Sequence, residues 1–149
     1  MNIVEKGKEG ERQICRLLNV VVQDVAKNFD DETRQALKKI VQRNQNQSAV
    51  GGGDIYILGL AIEVKRQETL SVEAWWRQAV ASTSPRYSIP VLMYRQNNRK
   101  WHVVMEMNLP HLHDNKTTKV RGEISLESFL EWFQQWTLQK ITEGDLDYV

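Results

Sequence analysis

The chain has one cysteine, three prolines and almost no net charge: 20 Lys+Arg stand against 19 Asp+Glu over 149 residues, for +1. Each shortage excludes something. Cys15 alone can form no internal disulfide, so stability must come from a core, and a chain of this length can bury about two-thirds of its unfolded surface. Cys15 lies among Ile14, Leu17 and Leu18 and reads as a small hydrophobe rather than a nucleophile. No run approaches the ~18 consecutive apolar residues that suggest a membrane span. Met1 to Gly10 is charged rather than apolar, so no secretory signal is expected and the protein reads as cytoplasmic. Linkers, repeats and low-complexity tracts are missing too, which predicts one domain over residues 1–149. The absence of a basic excess argues, on average, against a phosphate-backbone partner.

The apolar spacing that is present predicts the order α, β, β, β, α, β, β, α. From about Glu5 to Lys27, residues Ile14, Leu17, Leu18, Val21, Val22 and Val25 recur at helical intervals. Arg34 to Asn46 is ambiguous, with a strand favoured around Lys39 to Gln45. Two β-rich runs, Asp54–Leu58 and Leu60–Arg66, flank Gly59 and predict a hairpin. Ser71 is the expected N-cap of a helix from Val72 to about Ala81, with a staple between Leu70 and Trp75. Ile89–Arg95 and Lys100–Met107 predict a second hairpin. Ser125 is the expected cap of a helix reaching about Ile141.

Chemistry concentrates between Gly53-Asp54 and Glu63-Val64-Lys65. Strand alternation puts Glu63 and Lys65 on one face and Ile62 and Val64 on the other, and likewise opposes Asp54 to Ile55. Asp54 and Glu63 share a face only if paired positions sum to an odd number, which needs an even-numbered loop around Gly59. Two close carboxylates suit a hard cation such as Mg²⁺, and a neighbouring ammonium suits phosphodiester hydrolysis. The Glu63-x-Lys65 triplet by itself is common by accident and reads more readily as a solvated strand face.

Its context says more. The Asp after glycines, the apolar hairpin between the acids, the preceding helix and the Gln-bearing helix after it together resemble the PD-(D/E)xK nuclease superfamily. The matching stretch is Gly52-Gly-Asp-Ile-Tyr-Ile-Leu-Gly-Leu-Ala-Ile-Glu-Val-Lys-Arg66, followed by Trp75-Trp-Arg-Gln-Ala79. The resemblance spans about residues 5–95 and is strongest to small stand-alone Holliday junction resolvases, of kinds found in phages as well as cells. It implies an α/β, restriction-endonuclease-like αβββαβ core over about 5–107. That core would have a mixed central sheet flanked by helices and be followed by a C-terminal helix over about 125–141. It further implies a Mg²⁺-dependent DNA endonuclease, with Mn²⁺ as a possible substitute, that leaves 5′-phosphate and 3′-hydroxyl ends. By this resemblance Glu11, Asp54, Glu63 and the Val64 carbonyl bind metal, Lys65 is the catalytic lysine, and Gln78 positions substrate or lysine. Gly53 replaces the proline of the signature, a departure the superfamily tolerates. The implied substrate is branched or duplex DNA, and symmetric cutting of a four-way junction would require a homodimer. Alternatives are a nuclease acting on ends, flaps or single strands in replication or repair, and a DNA-binding protein that keeps the fold without turnover. A phage-encoded protein would act in the host cytoplasm.

Other features read more plainly. Gly51-Gly-Gly53 lacks the Lys-Ser/Thr of a nucleotide loop, His111 and His113 lack a second Cys/His cluster for zinc, and His102 reads as structural. Trp75 and Trp76 point about 100° apart on a helix, so one packs and the other sits at a rim, where it could stack on a base. Phe129, Trp132, Phe133 and Trp136 make the last helix apolar enough to cover the sheet. The neutral average also hides segregation: residues 1–33 carry −2, residues 34–121 carry +8 and residues 122–149 carry −5. DNA is therefore expected over the central segment, with Lys38, Lys39, Arg43, Arg66, Trp76 and Arg77 as candidate contacts, and away from Glu143 to Asp147.

Overall fold

The computed structural model describes residues 2–44 and 53–144. Its elements are α1 (Ile3–Ala26), α2 (Asp31–Leu37), β1 (Ile55–Ile57), β2 (Leu60–Arg66) and α3 (Val72–Ala81), followed by β3 (Ile89–Arg95), β4 (His102–Pro110), β5 (Thr117–Ser125) and α4 (Leu126–Thr142). The strands form one mixed sheet in the order β1-β2-β3-β4-β5. β2 and β3 run parallel through the α3 crossover, and the other pairs are antiparallel.

Alternation sorts the sheet into two faces. Ile55, Ile57, Leu60, Ile62, Val64, Val91, Met93, Val103 and Met105 pack with Ile14, Leu18 and Val22 of α1 and with Phe129 and Phe133 of α4. The reverse face sets Leu92, Tyr94 and Val104 against Trp75 and Ala79 of α3. Asn2 caps α1 by accepting from the Glu5 N–H at 2.8 Å, and Ser125 caps α4 through the Ser128 N–H at 3.0 Å.

Several local expectations need correction. The strand expected at 39–45 is represented among the described residues by a single bridge, Arg43 to Ile55, preceded by the α2 helix. It stands where the first strand of the αβββαβ pattern belongs. Ser71 makes no side-chain capping bond, and Leu70, 44% exposed, is not tucked under Trp75. β5 was not expected at all: Thr117–Ser125 shows solvent on both faces along most of its length, so it lacks the apolar alternation that marks a strand.

Candidate active site

The site begins with a turn. Ile55 pairs with Ile62 and Ile57 with Leu60, leaving Leu58 and Gly59 as a two-residue loop. Both have positive φ, 49° and 86°, as a type I′ hairpin turn requires. The paired positions sum to an odd number, so Asp54 falls opposite Glu63 and shares its face, together with Lys65. Leucine is an unusual occupant of a left-handed position, and the tertiary structure supports it: Leu58 is buried and its carbonyl accepts from Trp136 Nε1 of α4 at 2.8 Å.

Three acids meet here. β1 ends opposite Ile62, so the edge of β2 is open from Glu63 onward. On that edge the Val64 N–H donates to Asp54 Oδ2 at 2.7 Å. A strand residue's N–H and C=O share an edge, so the Val64 carbonyl faces Asp54 as well. Glu11 reaches the same edge from α1, and its carboxyl hydrogen-bonds that of Asp54. Glu11 and Glu63 are each only 6% exposed, a rare condition for carboxylates. Burial, and then the charge of Glu63, push the Asp54 carboxyl up to about 9 against the pull of the Val64 N–H. Glu63 is raised too, by burial first, although a hydrogen bond with Asp54 and the charge of Lys65 pull it down.

The surrounding residues hold this cluster in place. Arg43 Nε donates to Glu11 Oε2 at 2.7 Å, so the arginine expected as an outward DNA contact is turned into the acidic cluster. Asn44 clamps the approach, with its N–H on the Asp54 carbonyl at 2.8 Å and Nδ2 on the Gly53 carbonyl at 2.9 Å. Tyr56, on the Glu63 face, accepts from the Gly53 N–H and donates to the Ser82 carbonyl at the end of α3, both at 2.8 Å. Gly53 thus has a local reason to replace proline. Proline has no N–H for Tyr56, and a Cβ here would stand 3.2 Å from Ser82 Cβ and 3.3 Å from Tyr56 Cζ. Tyr56, Asn44 and Ser82 escaped the sequence reading, and only the strand parity of Tyr56 pointed toward this face.

The other expected residues lie farther out. Gln78 is exposed on α3, the helix that covers the Glu63 face, and Lys38, Lys39 and Arg77 are exposed as well. Trp75 is the packed tryptophan. Trp76 is half-buried, with the Arg121 guanidinium 6.0 Å above its ring. Cys15 is half-buried and its thiol is pushed up to about 11, chiefly by burial, which suits a packing role. His111 and His113 sit exposed at the β4–β5 tip, where His111 faces Asp114. Gly51 and Gly52 lie outside the described residues.

The donor set is chemically apt for a divalent cation. The buried carboxyls of Glu11 and Glu63 and the half-buried one of Asp54 crowd together with one arginine among them, and the raised affinity of Asp54 and Glu63 for protons reports an excess of negative charge that a cation would neutralise. These oxygens are engaged with Arg43, with the Val64 N–H and with one another. Accordingly, no group of three His, Cys, Asp or Glu side chains is disposed as ion ligands among the described residues. No helix among them is long and apolar enough to cross a membrane.

Comparison with known proteins adds one finding. The family model described as "Phage putative PDDEXK endonuclease" matches residues 2–143, a stretch that contains every residue of the site. No curated protein and no solved structure matches the chain.

Proposed function

The chain belongs to this phage PDDEXK endonuclease family, and from that premise we propose a Mg²⁺-dependent DNA endonuclease that selects branched DNA, four-way junctions first. The observation that carries the catalytic part is the convergence of the buried Glu11 and Glu63 carboxyls on that of half-buried Asp54 at an open strand edge, with Lys65 on the Glu63 face. Glu11, Asp54, Glu63 and the Val64 carbonyl would hold the metal, for which Mn²⁺ could substitute. When bound, the metal supplies a lowered pKa for water and neutralisation of a phosphoryl oxygen.

The remaining steps belong to the chain. Lys65 lies about 7 Å along β2 from Glu63, on the same side, where its ammonium can orient the attacking water or stabilise charge building on phosphorus. The Val64 N–H keeps Asp54 aimed along the edge, and Arg43 does the same for Glu11. Gln78, exposed on the covering helix, is the candidate for positioning substrate or Lys65. In-line attack by water then leaves a 5′-phosphate and a 3′-hydroxyl.

Branch selectivity rests on the resemblance of the site motif to small junction resolvases, and paired cuts would require a homodimer. A labelled panel of four-way junction, flap, duplex and single strand, incubated with Mg²⁺, tests the reading. Symmetric incisions in the junction alone are expected, and flap or end cleavage instead would favour a repair or replication nuclease. Asp54→Ala and Lys65→Ala should each lower cleavage by at least ~100-fold. Wild-type rates in either variant would refute the catalytic assignment.

A further inference from the structure

On the opposite face of β2 from Glu63 and Lys65, at the carboxyl ends of the two parallel strands, Arg66 and Arg95 are register partners. Alternation places both on the face covered by α1, with Trp101 beside them. The helix approaches closely there: a Cβ on Gly10 would stand 3.4 Å from both Arg66 Cβ and Trp101 Cη2. The Arg95 guanidinium lies 5.5 Å from the centre of the Trp101 ring. Like charges side by side on adjacent strands repel, and among the described residues neither guanidinium has a carboxylate partner. Burial, and then the charge of Arg66, hold Arg95 below its ordinary pKa.

Arg66 Nε, Arg95 Nε and Trp101 Nε1 are buried without an acceptor, and such orphaned donors are expensive to maintain. Asn97 Oδ1 is buried and unpaired as well. Glu68 accepts from the Asn97 N–H at 2.8 Å. Lys6, Arg66, Asn97 and Asn98 line a cavity of about 330 Å³ at this end of the sheet. The Arg66 guanidinium and the Lys6 ammonium at the cavity wall, with the unpartnered Arg95 and Trp101 donors packed behind Arg66, call for an acceptor with negative charge, and guanidinium forks match phosphate oxygens.

We infer that Lys6 and Arg66, with Arg95 and Trp101 packed behind them, form a binding pocket for a nucleic-acid backbone phosphate other than the scissile one. The two sites are contiguous along the chain, because Lys65 precedes Arg66 on β2 and Gly10 precedes Glu11 on α1. A strand crossing the open edge of β2 would place one phosphate by Lys65 and a neighbouring one against Arg66. The identity of the polymer rests on the nuclease reading, whereas the anion chemistry does not.

The test is binding of the full-length protein to a fluorescent DNA duplex in EDTA, measured over a salt series. Arg66→Gln and Lys6→Ala are compared with wild type, and circular dichroism melts confirm folding. Lys6 lies on the rim, so its variant keeps the experiment decisive if Arg66→Gln folds poorly. Each variant should weaken binding about 5- to 10-fold and reduce the slope of log K against log salt by about 0.9, the signature of one lost phosphate contact. An unchanged slope in both variants overturns the pocket whether or not affinity falls, because a merely structural residue leaves the number of phosphate contacts intact. A wild-type protein that binds no DNA overturns it too. Cleavage with Mg²⁺, scored in parallel, separates the two readings. Loss of slope without wild-type cleavage keeps the pocket and removes the nuclease, and cleavage with unchanged slopes does the reverse.

Discussion

Glu11 and Glu63 are buried acids pressed against half-buried Asp54, and such a group destabilises a protein whenever nothing neutralises it. Asp54 shows the sign of the effect. An unfolded aspartate titrates near 3.9, while burial and Glu63 push the folded carboxyl up to about 9. Folding therefore takes up a proton between these limits. The favourable contribution is complete below the unfolded value and is lost as pH rises toward the folded one. Thermal melts in EDTA should accordingly rise by a few degrees, roughly 1–2 kcal/mol, between about pH 8.5 and about pH 5.5. Asp54→Asn should flatten much of that dependence and raise the melting temperature at the alkaline end. An equal pH slope in wild type and variant would show that Asp54 is ionised without penalty. Arg43 is the compensating residue for Glu11, and its role was not legible from a charged position in an ambiguous segment. Thirty-two positions separate the two partners, and no periodicity links them.

Among the elements, the β1–β2 hairpin matters most, because its parity decides which side chains meet. Leu58 and Gly59 make the loop even, and α4 holds it from outside: Trp136 Nε1 bonds the Leu58 carbonyl, and the Lys140 ammonium rests 4.9 Å from the centre of the Trp136 ring. A single glycine inserted between Leu58 and Gly59 should shift the register by one and send Asp54 and Glu63 to opposite faces. Cleavage should then fall by at least ~100-fold, because the acids no longer converge, while far-UV circular dichroism keeps its helical content. Retained cleavage would mean that the turn is not what brings the acids together. α1 and this hairpin were readable because their periods, 3.6 and 2, are uninterrupted. β5 was not, since Lys119, Arg121 and Glu123 alternate with residues that are themselves only partly covered. It is a strand because β4 offers it a long ladder, from His102↔Ser125 to Pro110↔Thr117.

At the scale of the whole molecule, the sheet has a packed end and a free arm. Strands β3 and β4 are covered by α1, α4 and α3, whereas residues 108–119 of the β4–β5 hairpin are exposed throughout. Replacing 108–119 by a two-residue turn should leave the melting temperature within about 3 °C of wild type, because exposed hairpin tips contribute little to the core. A larger drop would show that the arm supports the sheet. Arg121, just inside the cut, still ties the arm's base to Glu73 of α3 through Nη1 and Oε2 at 3.0 Å. The amino-acid order by itself determined the helices α1, α3 and α4, the hairpin that carries the acids and the shared face of Glu63 and Lys65, because these follow from local periods and alternation. Only the tertiary structure decided that Glu11 reaches Asp54 past the open edge of β2, that Arg43 turns inward to it, and that Arg66 and Arg95 lie side by side with no acceptor for either Nε among the described residues. Those outcomes depend on where one strand stops and which helix covers its neighbour, and no local pattern in the chain encodes either.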